Sequence, residues 1–169
     1  IISIALKSSK SSVYQVWGLD TYDFEKTELD MKGELVQYHH CKSETEMLAK
    51  FLGYWKKNYP DVITGWNSRF FDIPYLVNRI TLIGSEEAAR SLSPWNMVNV
   101  RNVKKMQREL PAYEIVGIQQ ADYLELFQKF GYSYGTQESY KLDHIAYVVL
   151  GEKKLSYEEH GNLYTLYKE

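Results

Sequence analysis

The run from Val62 to Tyr75, read as Val62-Ile63-Thr64-Gly65-Trp66-Asn67-Ser68-Arg69-Phe70-Phe71-Asp72-Ile73-Pro74-Tyr75, constrains the fold more than any other part of this chain. Val62, Ile63, Thr64 and Trp66 are strand formers, whereas Pro74, with its fixed φ and missing N–H, suits the first turn of a helix. The spacing therefore predicts a buried strand that ends in a sharp turn and hands the carboxylate of Asp72 to a helix. Strand ends that face helix starts are where α/β folds place their chemistry.

The rest of the chain alternates in the same manner. Ile1 to Leu6 and Val13 to Leu19 are apolar-rich runs separated by a polar stretch, Lys7 to Ser12, which predicts a β-hairpin. A third strand is expected over Leu35 to His39. Ser43 and Glu46 form a capping-box pattern, and Met47, Leu48, Phe51, Leu52 and Trp55 recur on one face, so a helix of about three turns should follow and end at Pro60. After the strand Val62 to Trp66, the segment Asp72 to Ile83 places Leu76, Ile80 and Ile83 on one helical face, and Gly84 punctuates it. Ser85, with Glu86 and Glu87 behind it, caps a short helix. Val98 to Lys105 and Tyr113 to Ile118 read as two strands joined by Met106 to Ala112. A further helix–strand alternation is expected around Asp122 to Phe130, and Ser139 opens a helix with Leu142, Ile145, Ala146 and Val149 in register. No internal repeat, low-complexity tract or linker interrupts this order. Early strands followed by helices alternating with strands predict an α/β domain.

The motif Asn67-x-x-x-Phe71-Asp72, followed by Pro74-Tyr75, resembles the second exonuclease motif of family B DNA polymerases, the 3'–5' proofreading domain of the DEDD exonuclease type. Ser43-Glu44-Thr45-Glu46 leading to Trp55 and Pro60, Asn78-Arg79-Ile80, Leu92-Ser93-Pro94, Asp122-Tyr123-Leu124-Glu125-Leu126 and Ser139-Tyr140-Lys141-Leu142-Asp143 fall in the same order as in the T-even-like phage branch of that family. The resemblance covers nearly the whole chain. It implies a ribonuclease H-like (DEDD exonuclease) α/β fold with a mixed sheet and an inserted β-hairpin, here expected as a single partial exonuclease domain over residues 1–169.

Members of this type also carry a D-x-E motif on the first strand and a Y-x-x-x-D motif on a late helix. Ile1 begins where the strand after D-x-E should run, and Glu169 ends shortly before the expected Y-x-x-x-D. The first motif-bearing strand and the last motif-bearing helix are thus expected to be missing. In the implied fold the missing strand lies between the strands matching Ile1 to Leu6 and Val62 to Trp66. Its loss would leave two unpaired edges that close on each other, stay open, or take a strand from another chain, giving a possible oligomer.

Phosphodiester hydrolysis needs an activated water and neutralisation of charge on the leaving oxygen, which two divalent cations about 4 Å apart provide. Hard cations such as Mg²⁺ or Mn²⁺ want oxygen ligands, and the family pattern makes Asp72 one of them, as metal ligand and catalytic carboxylate. Read from its position alone, the favoured role of Asp72 is an N-terminal helix carboxylate stabilised by the dipole, and the surrounding matches reverse that preference for the parent. The resemblance further implies that Asn67 contacts the 3' end of single-stranded DNA, although the same residue is a common turn former. Phe70 and Phe71 are neighbours and face differently, one toward a terminal base and the other beneath the helix. Arg101, Lys104, Lys105 and Arg108 alternate with Val98, Val100 and Val103 in the expected hairpin, where the family places a strand-separating element. A solvated hairpin tip is the plainer alternative. Asp122 and Asp143 match neither absent motif, and structural hydrogen bonding is the preferred reading for both. His39, His40, His144 and His160 suggest no metal cluster.

A length of 169 residues with 44% hydrophobic content supports one cored domain and is too short for palm, fingers and thumb. The net charge of −2 argues against a protein that coats nucleic acid by bulk attraction. One cysteine, Cys41, excludes an internal disulfide and fits a reducing cytoplasm, that of the host if the gene is phage-borne. No signal peptide or membrane-length apolar run is visible. The expected parent is a DNA-directed DNA polymerase active in replication, with single-stranded and primer–template DNA and the remaining polymerase domains as partners. The residues here should bind cations weakly or not at all and lack activity of their own. The alternatives are a stand-alone DEDD exonuclease and a non-catalytic nucleic-acid-binding module on the same fold.

Overall fold

A computed structural model describes residues 1–23, 35–105 and 108–152. The elements, in chain order, are β1 (Ser3–Lys7), β2 (Val13–Gly18), β3 (Leu35–His40), α1 (Glu44–Lys57), β4 (Val62–Gly65), α2 (Asp72–Ile83), α3 (Glu86–Arg90), β5 (Val98–Lys105), β6 (Arg108–Ile115), β7 (Gln119–Asp122), α4 (Tyr123–Phe130), a 3-10 turn (Gly131–Tyr134) and α5 (Leu142–Leu150). The chain divides into two compact units, residues 1–63 with 68–120, and residues 64–67 with 121 onward.

In the first unit, β1 and β2 form the expected antiparallel hairpin, with Ser3 opposite Gly18 and Lys7 opposite Tyr14. β3 then joins β2 in parallel, Val13 opposite Leu35 and Gly18 opposite His40. The mixed sheet follows from a short polar turn on one side and a long return on the other. α1 begins where Ser43 accepts a bond from the Glu46 amide at 3.2 Å, while the Glu46 carboxylate accepts from the Lys42 amide at 2.8 Å. This is the capping logic expected from the sequence, with Glu46 reaching one residue further back. Met47, Leu48, Phe51 and Trp55 are the buried face of α1.

Trp17 on β2 sits at the centre of this interior. Its ring stacks on His39 at 5.3 Å and meets the edge of Phe51 at 5.6 Å. Val77 and Ile80 of α2, Leu92, Ile115 and Ile118 complete the same core. Where polar groups enter it they are paired: the Trp55 indole donates to the Leu92 carbonyl at 2.7 Å, and the Ser93 hydroxyl donates to the Val116 carbonyl at 2.7 Å. Such pairing offsets the cost of taking each group out of water.

The hairpin departs from the sequence expectation. Its second strand is Arg108–Ile115, not Tyr113 to Ile118, and the ladder runs from Val98 opposite Ile115 to Lys105 opposite Arg108. Met106 to Ala112 is therefore not a connecting loop: residues 108–112 are strand, and 106–107 lie outside the described residues. In a two-stranded ribbon both strands are edges, and Pro111 opposite Asn102 is tolerated. Gly117, at φ +91°, makes the turn out of β6; a Cβ there would lie 2.8 Å from the Pro94 ring.

β4 pairs with β7 in a sheet separate from β1–β2–β3 and from β5–β6. The edges of β1 and β4 therefore do not close on each other, which removes one of the three outcomes expected for them. The second unit contains α4, capped by Asp122, and α5, which starts at Leu142 with Lys141 as its N-cap, three residues after Ser139. Of the apolar face expected on α5, Ile145 is buried, while Leu142 and Val149 are exposed among the described residues.

Candidate active site

Asp72 is the first residue of α2 and is an exposed residue. The turn before it is fixed by backbone bonds, Ile73 N–H to the Ser68 carbonyl at 2.9 Å and Tyr75 N–H to the Phe71 carbonyl at 3.0 Å. Pro74 occupies the third helical position, where an N–H would lack an intrahelical acceptor. Ile73, Pro74, Val77 and Ile80 anchor the inner face of α2. The sequence put Leu76, Ile80 and Ile83 on that face; the helix is rotated so that Val77 and Ile73 carry the burial, and Leu76 and Ile83 pack half-buried at its margins.

Two polar ties fix the other sides of α2. Arg79 holds Glu44 of α1 in a two-pronged ion pair, with Nε donating to Oε1 at 2.8 Å and Nη2 donating to Oε2. The Arg79 guanidinium holds the Glu44 carboxyl well below its ordinary 4.5, against the opposing effect of burial. On the opposite flank, the Tyr113 hydroxyl of β6 donates to Asn78 Oδ1 at 2.8 Å. The carboxylate of Asp72 thus stands at the head of a helix pinned to α1, to the hairpin and to the core.

Phe70 and Phe71 do face differently. Phe71 is exposed and nearly parallel to Tyr75, while Phe70 is half-buried with the Arg69 guanidinium 5.4 Å from its ring centre. Arg101 on β5 pairs with Glu114 on β6 at 2.9 Å, a diagonal neighbour across the ladder. Lys104 and Arg108 are exposed near the described end of the hairpin. The Lys105 backbone belongs to β5, and its side chain lies outside the described residues.

In the second unit, Asn67 adopts a left-handed backbone, φ +60°, a conformation open to Asn at low cost. Its N–H donates to Asp122 Oδ1 at 2.9 Å, and the same oxygen accepts from the Leu124 N–H at 2.9 Å. Asp122 is 4% exposed, so one buried carboxylate both caps α4 and holds the Asn67 turn. That is the structural role preferred for Asp122 from the sequence. The tie itself was not legible there, since 55 residues separate the partners.

The model of the DNA polymerase family B exonuclease domain matches residues 1–145. The chain belongs to that family. It is 38% identical over 121 residues to the DNA-directed DNA polymerase of Escherichia phage RB69, covering 72% of this chain and 13% of that protein. It is 31% identical over 123 residues to the polymerase of Enterobacteria phage T4, covering 73% and 14%. A match of 30% over 137 residues to the DNA polymerase catalytic subunit of Psittacid herpesvirus 1 covers 78% of the chain and 12% of that subunit. The chain spans less than a fifth of the length of these curated relatives.

Whether this exonuclease-domain chain can hold the cations the family implies is decided by its donors. Among the described residues, no group of three or more His, Cys, Asp or Glu side chains is arranged to hold a metal ion. Asp72 alone is too few oxygen ligands for Mg²⁺ or Mn²⁺, so the described residues do not fit a two-cation centre by themselves. His39 faces Trp17 and Gln15 instead, and burial lowers its pKa. No helix among the described residues is long and apolar enough to cross a membrane.

Proposed function

We propose that residues 1–169 are one partial proofreading exonuclease domain of a DNA polymerase, which in the intact polymerase removes the 3'-terminal nucleotide of single-stranded or frayed primer DNA. The observation that carries the reading is Asp72, an exposed acidic residue at the start of a helix tied to α1, to the hairpin and to the core, in a chain of this family. In this reading Asp72 is one ligand of a divalent-cation site whose other carboxylates lie outside the described residues. The fold is ribonuclease H-like, and the open edges of β1 and β4 receive a further strand. Asn67 contacts the 3' end of the strand, Phe71 offers its face to the terminal base with Phe70 behind it, and Arg101, Lys104, Lys105 and Arg108 meet phosphates as primer and template part. The work takes place in the cytoplasm, in concert with the remaining polymerase domains.

Asp72→Asn in the full-length polymerase tests this directly. Exonuclease turnover on single-stranded DNA in Mg²⁺ should fall at least about a hundredfold, with nucleotide incorporation retained. Unchanged turnover would remove Asp72 from the site. For Asn67, the Gly variant keeps the left-handed turn and deletes the amide, so weaker single-strand binding with an unchanged melt would favour DNA contact over turn formation.

The absence of a cation-binding cluster among the described residues favours a second statement about these 169 residues alone. They are inactive in isolation, and act there at most as a nucleic-acid-binding module. Robust Mg²⁺- or Mn²⁺-dependent nuclease activity from the purified 169-residue chain would overturn this. A concentration-dependent mass in solution would show the open edges pairing between copies; a strict monomer would leave them to a strand of the polymerase itself.

A further inference from the structure

We propose that the cavity between α4 and the turn that follows it, in the second unit, binds a nucleobase. The site goes beyond the exonuclease reading, since Asp72 belongs to the first unit and none of the residues assigned to that reading lines this cavity. The cavity measures about 250 Å³, and Phe127, Gln128, Tyr132, Thr136 and Tyr140 line it together with two glycines. Pockets for drug-sized ligands start at roughly 300 Å³, so this one suits a single planar ring system.

Its walls are aromatic and held in place. The Phe127 ring lies 5.7 Å from that of Tyr134, 28° from parallel, and meets Tyr140 edge-on at 6.4 Å. Gly131 lets the turn lie against Phe127, because a Cβ there would stand 3.2 Å from the ring. The Gly135 N–H donates to the Tyr132 carbonyl at 3.1 Å, and the Gln137 amide donates to the Tyr134 carbonyl at 2.6 Å. The Gln137 side-chain oxygen in turn meets His144 Nε2 of α5 at 3.2 Å. The cavity is therefore formed before any ligand arrives, and a pre-set surface loses little freedom on binding.

Tyr132 is the lining residue that packing does not explain. It is 85% exposed, in a turn whose backbone bonds make no demand on that side chain. At the rim of an aromatic cavity, such a ring offers a flat face for stacking. The lining also selects among ligand classes. None of these residues is charged, so the cavity offers no counter-ion to a phosphate or a cation. Gln128 and Thr136 carry an amide and a hydroxyl, groups that donate and accept as the edge of a base requires. Aromatic faces with a few neutral polar groups fit a nucleobase, which a DNA polymerase meets both in a strand and as a free nucleotide.

The test uses the full-length polymerase and photoreactive 4-thiothymidine, free and as one residue of a single-stranded oligodeoxynucleotide, with the cross-linked peptide identified by mass spectrometry. Label between Phe127 and Tyr140 is expected. Label there from the free nucleoside assigns the cavity to free nucleotides, and label from the oligonucleotide alone assigns it to a strand. Tyr132→Leu should lower that label about 5- to 20-fold, while Tyr132→Phe, which keeps the ring, should stay within about twofold of the parent. Should Tyr132→Leu melt early, Tyr132→Gln, equally ringless, gives the same reading. No label in that stretch from either probe, or parental label in a folded ringless variant, would overturn the site. Asp72→Asn keeps the two readings apart: the label should be unchanged whether or not turnover is lost, and a label that falls with Asp72→Asn would belong to the exonuclease site and overturn the second one.

Discussion

The two units of this chain are stabilised by different means. In the first, Trp17, Met47, Phe51, Ile80, Leu92 and Ile115 are sealed from water in one interior. In the second, Ile145 and Asp122 are the two residues buried to a comparable degree among those described, while Tyr123, Phe130, Leu142 and Leu150 face solvent. What orders the second unit is a set of directed contacts. Asp122 accepts two backbone amides, the Trp66 indole donates to the Tyr140 carbonyl at 3.2 Å, and Phe127 meets Trp66, Tyr134 and Tyr140 ring to ring. The head of α2, where Asp72 sits, is thus held by side-chain packing, and the Asn67 turn by one carboxylate.

The largest expected effect contrasts one ring from each unit. Phe51→Ala should destabilise the first unit by about 3–5 kcal/mol, since it opens a cavity in a sealed core. Phe127→Ala loses partly exposed ring contacts and should cost about 1–2 kcal/mol. Urea melts of both variants rank them, and a reversed order would break the contrast.

Asp122 comes next. Asp122→Ala leaves the Asn67 and Leu124 amides without their acceptor and should cost about 2–3 kcal/mol, felt locally. Asp122→Asn keeps an oxygen in place and should lose about half as much. Amide hydrogen exchange at Asn67 and Leu124 reads this directly: faster exchange at those two amides with unchanged protection at Phe51 and Ile80 is the expected pattern. Uniform loss of protection would mean that the two units melt as one.

This division also explains what could be read from sequence. Elements with a strong local signature were legible: the Ser43 cap and the apolar face of α1, the β1–β2 hairpin with its polar turn, and the strand-to-helix turn that presents Asp72, although β4 itself, expected to be buried, is exposed at Val62 and Thr64. The α2 face was misjudged by one step because the periodicity admits either Leu76 or Val77, and burial in the core selects Val77. The second strand of the hairpin starts earlier than expected because Arg108 to Ala112 holds few strand formers and pairing with β5 recruits it. Of the candidate site, the exposed carboxylate was expected, but its supports were not. Glu44 with Arg79, Asn78 with Tyr113 and Asn67 with Asp122 are 35, 35 and 55 residues apart, and no local pattern announces such pairs.

The Glu44–Arg79 pair yields a pH-dependent prediction of intermediate size. Because Arg79 holds the folded-state pKa of Glu44 below its ordinary value, the pair contributes stability that is complete above the ordinary carboxylate pKa of 4.5 and is lost as pH falls through the lowered pKa. Partial exposure screens the interaction, so about 1 kcal/mol is expected, less than the full shift would imply. Thermal melts at pH 6 and pH 3 should show Glu44→Gln losing less stability on acidification than the parent. An identical acid slope in both would mean that the pair adds nothing to the anchoring of α2.

The smallest effect distinguishes anchoring by the core from anchoring by polar ties on the rim. Tyr113→Phe deletes one hydroxyl and its bond to Asn78, which is solvent-accessible, so water replaces it and the global cost should stay near 0.5 kcal/mol. The ring remains packed against the core, and Gln120 still donates to the Tyr113 backbone carbonyl at 2.6 Å. The variant therefore isolates a single link between the hairpin and α2. If that link keeps the first turn of α2 in place, exchange at the Ile73 and Tyr75 amides should quicken while the midpoint of the urea melt scarcely moves. Unchanged exchange there would assign the position of Asp72 to Ile73, Val77 and Ile80 alone, and the contrast between a packed unit and a hydrogen-bonded one would then extend to the site itself.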